Sequence, residues 1–115
     1  MVTGILIRTA SDENEVEELR KVLIDGSLES IAQALGGKVV EPVYVRGCHF
    51  YRETEGKLNH RPANRMATRV AQALGWLKRG VLFGDIIFLD EDAEGNVASI
   101  PEDFARVIIQ IALSA

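Results

Sequence analysis

The sequence predicts an α+β fold: a single small domain, residues 1–115, with a mixed or antiparallel sheet of about five or six strands packed with two to three helices. Three observations lead there. β-branched apolar runs alternate with segments whose apolar residues recur three and four positions apart, the spacing of a helix face. The two kinds of segment interleave without a regular strand–helix–strand repeat, which argues against a doubly wound sheet. A chain of 115 residues that is 47% hydrophobic suffices for one core without disulfides or metals.

Val2 to Arg8 reads as the first strand, ended by Thr9-Ala10-Ser11-Asp12. Val16, Leu19, Val22 and Leu23 then fit helical spacing, with Asp12 and Glu15 placed as a capping box, so periodicity predicts a helix over 13–24. Asp25-Gly26-Ser27 breaks it. Ser27 opens a short helix over 27–36 with the stripe Leu28, Ile31, Ala32 and Leu35, closed by Gly36-Gly37. Val39 to Val45 is a strand; its Pro42 lacks the N–H a ladder needs and belongs at an edge or a bulge. Arg46-Gly47 turns into a return strand, Cys48 to Glu53. Pro62 suits the first position of a helix over 62–74 whose apolar face is Ala63, Met66, Ala67, Val70 and Leu74. Val81 to Leu89 is the most apolar strand, interrupted by Gly84-Asp85. Asp90 to Asn96 forms an acidic hairpin loop, and Val97 to Ile100 returns. Pro101 starts the last helix, over 101–113, with Glu102 and Asp103 placed well for the helix dipole. Its core stripe is Phe104, Val107, Ile108 and Ile111.

No apolar run approaches the ~20 residues of a membrane span, and the apolar start is too short for a secretory signal. One cysteine, Cys48, makes no internal disulfide, so the expected compartment is the cytoplasm. The net charge of −4 is unevenly spread. Residues 1–37 carry −4, residues 38–79 carry +6 and residues 80–115 carry −6. A basic middle third lies between two acidic thirds, as a contact for an anionic partner or as a basic element packed beside acidic ones.

Three stretches resemble a known family. They are Asp25-Gly26-Ser27-Leu28-Glu29-Ser30-Ile31-Ala32-Gln33-Ala34-Leu35-Gly36-Gly37, then Pro62-Ala63-Asn64-Arg65-Met66-Ala67-Thr68, then Gly84-Asp85-Ile86-Ile87-Phe88-Leu89. The family is small, found in phages and in actinobacterial and other bacterial genomes, and known only as a domain of unknown function. The resemblance implies that residues 19–24 form a strand hairpinned to the first, against the periodicity. It implies a phage or phage-derived context and brings no catalytic or binding residues.

Candidate chemistry is sparse. Cys48 and His49 are neighbours, but adjacent strand residues point to opposite faces, which argues against a thiol–imidazole pair. Cys48, His49 and His60 lack the spacing that fixes two metal ligands on one element. Asp90-Glu91-Asp92-Ala93-Glu94-Gly95 resembles the start of a calcium loop, yet the twelfth position is Pro101 where a bidentate glutamate is required. Gly36-Gly37 and Gly84 belong to no phosphate-binding motif.

Arg61, Arg65 and Arg69 are more informative. Spaced four apart, they form a stripe opposite the apolar face of the 62–74 helix, and no acid lies between Asn59 and Arg79. Like charges at that spacing oppose one another, and cations near a helix start oppose its dipole. The compensation comes from the protein's own acids, such as Asp85 or the 90–94 loop, or from an acidic or phosphate-bearing partner. The expected function is therefore a phage-type accessory or regulatory module that binds nucleic acid or an acidic host protein through these arginines. The expectation includes no catalytic residue, no metal, no cofactor and no membrane, with a homodimer left open. The alternatives are a small enzyme on a nucleotide or phosphorylated substrate, using Asp85 and the arginines, and a structural oligomer-forming subunit.

Overall fold

Two strands that are apolar on both faces organise the chain. In the computed structural model, which describes residues 1–9, 17–36, 40–45, 48–53 and 62–114, these are β1 (Val2–Arg8) and β5 (Ile86–Glu91). They pair antiparallel, Ile5 opposite Phe88, Leu6 opposite Ile87 and Ile7 opposite Ile86, with every one of these side chains at most 2% exposed. Successive strand residues face opposite sides, so burying the whole run demands a layer on each face. β2 (Glu18–Ile24) pairs with β1, β4 (Cys48–Glu53) with β5, and β3 (Val40–Val45) with β4. The order is β2-β1-β5-β4-β3, every pairing is antiparallel, and the two-residue β6 (Val97–Ala98) joins the end of β5. The fold is α+β, as expected.

α1 (Leu28–Ala34) carries the chain from one sheet edge to the other across one face, where Ile31 and Leu35 meet Leu6, Tyr51, Ile87 and Leu89. α2 (Arg65–Ala73) and α3 (Glu102–Ala112) cover the opposite face. Ala67, Val70 and Ala71 of α2 and Ala105, Ile108 and Ala112 of α3 pack there with Ile5, Ile7, Phe50, Ile86 and Phe88. Trp76, just past α2, lies among Phe50, Phe88 and Phe104 with ring centroids 6.4, 6.0 and 5.9 Å away. One close approach needs a glycine. A Cβ on Gly4 would lie 2.8 Å from Leu89 Cδ2 and 3.0 Å from the Phe88 carbonyl.

Several expectations change. Residues 19–24 are a strand, as the resemblance implies and the periodicity does not, paired with β1 from Val2↔Ile24 to Arg8↔Glu18. The proposed capping box, Asp12 and Glu15, lies outside the described residues. Pro42 sits in β3, at a sheet edge. The 62–74 helix begins at Arg65, because Ala63 bridges to Phe83 and Asn64 is the N-cap. The strand expected from Val81 begins only at Ile86, since residues 82–84 are hydrogen-bonded to the entry of α2. Leu28, expected in the core, is 61% exposed at the first position of α1. On α3 the buried face is centred on Ala105, Ile108 and Ala112, leaving Val107 41% exposed and Phe104 and Ile111 half-buried. Ile108 thus keeps its expected place, Phe104 and Ile111 pack on the margin of the core, and Ala105 and Ala112 take up the centre of the contact beside Ile108.

Candidate functional site

The basic helix is held in place by a buried polar junction at its start. Asn64 is fully buried. Its Oδ1 accepts the Ala67 N–H at 3.0 Å, which caps α2. Its Nδ2 donates to the carbonyls of Ile7 at 2.8 Å and Gly84 at 3.0 Å, tying α2 to the end of β1 and the approach to β5. The Asn64 N–H donates to the Leu82 carbonyl at 2.8 Å. Thr68 donates its hydroxyl to the Asn64 carbonyl at 2.7 Å and accepts the Leu82 N–H at 2.9 Å. Gly84 adopts φ +77°, a conformation that favours glycine, while its N–H donates to the Pro62 carbonyl at 2.9 Å. Thr9 closes the junction: its hydroxyl donates to the Ala63 carbonyl at 3.0 Å, and its N–H donates to Asp85 Oδ1 at 3.0 Å. Each side-chain polar atom of Asn64 is thus engaged within the fold, as a buried amide requires.

The arginines diverge in what they do. Arg61 lies outside the described residues. Arg65 is the first residue of α2 and is exposed. Arg69, one turn on and also exposed, donates from Nη1 to the Ala112 carbonyl at 2.8 Å. That bond places a cation at the C-terminal end of α3, where the dipole favours it, and joins the two helices. The unfavourable dipole at the start of α2 also has an internal answer. Glu17 accepts the Met66 N–H through Oε1 at 2.6 Å, bringing a carboxylate to the first turn. Sequence reasoning looked to Asp85 or the 90–94 loop for this acid. Glu17 stands 49 positions from Met66, and nothing in its local pattern marks it.

Two further cations follow the helix. Lys78 and Arg79 are exposed in the turn after α2, which is drawn toward the helix by a 3.4 Å bond from Gln72 Nε2 to the Gly80 carbonyl. Among the described residues, Arg65, Arg69, Lys78 and Arg79 make no ion pair. Elsewhere, Arg20 pairs with Glu18, Arg52 with Glu41, and Arg106 with Glu102 and Asp103. The charge count of the middle third was the signal for Lys78 and Arg79; their place beside α2 was not visible in it.

The remaining candidates resolve into structure. Asp92 organises the acidic hairpin: its Oδ1 accepts the N–H groups of Glu94 and Asn96, both at 2.9 Å. Those bonds, led by the one from Asn96, hold its carboxyl below the ordinary aspartate value. Cys48 and His49 fall on β4, but their side chains, like His60, lie outside the described set. Among the described residues, no three His, Cys, Asp or Glu side chains converge to hold a metal ion. No described helix is long and apolar enough to cross a membrane.

A family model described as a domain of unknown function, DUF3846, matches residues 3–112. The chain belongs to that family. The match takes in every strand and helix except the first residue of β1. No curated protein and no solved structure matches the chain. Of the residues that carry the resemblance, Pro62, Asn64, Ala67, Thr68, Gly84 and Asp85 all take part in the buried junction.

Proposed function

We propose that the protein is an accessory binding module that contacts an anionic partner through the outer side of α2. Arg65 and Arg69 are the contact residues on the helix, Lys78 and Arg79 extend the face beyond it, and Arg61, the remaining arginine of the expected stripe, precedes the helix in sequence. One observation carries the reading: these exposed cations follow one another along the basic third of the chain and lack ion pairs among the described residues, as Arg8 and Lys21 of the sheet also do, whereas Arg20, Arg52 and Arg106 each sit against a carboxylate. In a chain of net charge −4, an uncompensated row of cations is a local field that draws a complementary anion. The phage-type accessory role implied by the resemblance fits a module that acts by contact.

The test uses the charge mismatch. The protein, net negative at pH 7, is loaded on a sulfonate cation exchanger at low ionic strength, beside the variant Arg65→Glu/Lys78→Glu/Arg79→Glu. Arg69 is left intact because it also holds α3. The wild type is expected to be retained and to elute with added salt, and the variant to flow through. A wild type that flows through, or a folded variant retained equally, overturns the reading.

A further inference from the structure

We infer that the partner of this face is an acidic amphipathic segment of another protein rather than nucleic acid; this rests on the anion-binding reading above. The surroundings of the cations decide it. Leu113, 65% exposed, follows Ala112, whose carbonyl Arg69 grips. Val107, 41% exposed, lies one turn along α3 from Phe104, which packs on Trp76 at the end of α2. Val81, 46% exposed, comes directly after Arg79-Gly80. Val81 thus follows the turn cations directly, Leu113 follows the residue that Arg69 grips, and Val107 lies on the helix that Arg69 holds. A phosphate backbone has no use for these aliphatic side chains, and an amphipathic protein segment buries them.

Two further observations point the same way. Nucleic-acid surfaces stack bases on exposed aromatic rings, but Trp76 is engaged with Phe50, Phe88 and Phe104. A duplex also carries a charge about every 1.7 Å, far more than this short face neutralises, and the excess would meet a molecule of net charge −4. Carboxylates four apart on a partner helix instead lie about 6 Å apart along its axis, the spacing of Arg65 and Arg69 on α2. The fork of an arginine accepts a carboxylate through paired donors, and the bond from Arg69 to Ala112 already restricts one such fork.

The experiment measures fluorescence anisotropy with two labelled probes. One is a panel of peptides of about 20 residues with glutamates four apart on one face and leucines on the other. The other is a single-stranded DNA of about the same number of nucleotides. The wild type is expected to bind peptides of the panel, with little competition from the DNA. Arg65→Glu/Arg79→Glu and, separately, Val107→Ser/Leu113→Ser are each expected to weaken peptide binding about tenfold while remaining folded. DNA bound in preference to every peptide overturns the inference and leaves the anion-binding reading standing. Retention on the sulfonate resin with neither probe bound has the same consequence. Peptide affinity unchanged by Val107→Ser/Leu113→Ser overturns the amphipathic claim.

Discussion

Replacing Asn64 tests the junction that fixes α2, and three substitutions separate its two jobs. Serine keeps an N-cap oxygen but removes the donors to Ile7 and Gly84. Two buried carbonyls then lose a partner, each worth about 1–3 kcal/mol, so Asn64→Ser should lose about 2–6 kcal/mol. Alanine also removes the cap, worth about 1 kcal/mol more. Aspartate keeps the shape but sets an ionised oxygen, fully buried, against the same two carbonyls, and its loss at neutral pH should equal or exceed that of alanine. Protonation supplies one donor and relieves part of this. Burial raises the native-state pKa of that aspartate above its unfolded value, so the native state binds the extra proton. Stability is then lost as pH rises through the native value and recovered as pH falls. The gap between wild type and Asn64→Asp should therefore narrow from pH 7 to pH 4. Urea denaturation followed by the fluorescence of Trp76, the one tryptophan, reads all three, with an unchanged m-value as the control. Losses under about 1 kcal/mol for both serine and alanine would refute the claim that the two donors hold the junction.

Three other outcomes follow from the geometry. Gly4→Ala should cost about 2–3 kcal/mol in the same assay, because the new methyl meets the Phe88 carbonyl and Leu89 with no room to shift freely. Arg69→Ala should cost about 1 kcal/mol through the lost bond to Ala112, whereas Arg65→Ala should lie within about 0.5 kcal/mol of wild type; equal effects would contradict the assigned roles. The depressed pKa of Asp92 means that its contribution to the hairpin is present above the unfolded value and fades as pH falls through the native one. A carboxyl NMR titration should therefore place Asp92 below 3.8, and Asp92→Asn should weaken amide-exchange protection at Glu94 and Asn96.

What could be read from the sequence depended on whether a residue's environment was local. The centres of the middle strands were plain, because residues 5–7 of β1 and 86–89 of β5 are apolar and buried on both faces. β2 misled periodicity for a physical reason. Leu19 packs toward α2 and α3, whereas Val22 and Ile24 pack on the α1 side. Leu19 and Val22, on opposite faces of an edge strand, fall three apart, and the exposed Leu23 beside them completes a spacing that resembles a helix. The stripe of α3 was right at Ile108 and at the margins, Phe104 and Ile111, but it missed Ala105 and Ala112 and included Val107, because hydropathy favours large residues over buried alanines. At the candidate site, Arg65 and Arg69 were legible as a charge anomaly. Their partition was not, because Arg69 meets Ala112 and Glu17 meets Met66 across 43 and 49 residues.

The same geometry limits where binding can be sought. Six residues that carry the family resemblance, Pro62, Asn64, Ala67, Thr68, Gly84 and Asp85, are engaged in the junction among β1, α2 and β5, which Thr9 closes. Their bonds run inside the fold and fix the start of α2 on the sheet. On the proposed reading, recognition falls to side chains that the junction displays without using. Arg69 would then serve two purposes, and its removal would mix loss of folding with loss of contact. Among the described residues Arg65, Lys78 and Arg79 bear no such structural bond, so substitutions at these three positions separate the proposed binding from stability.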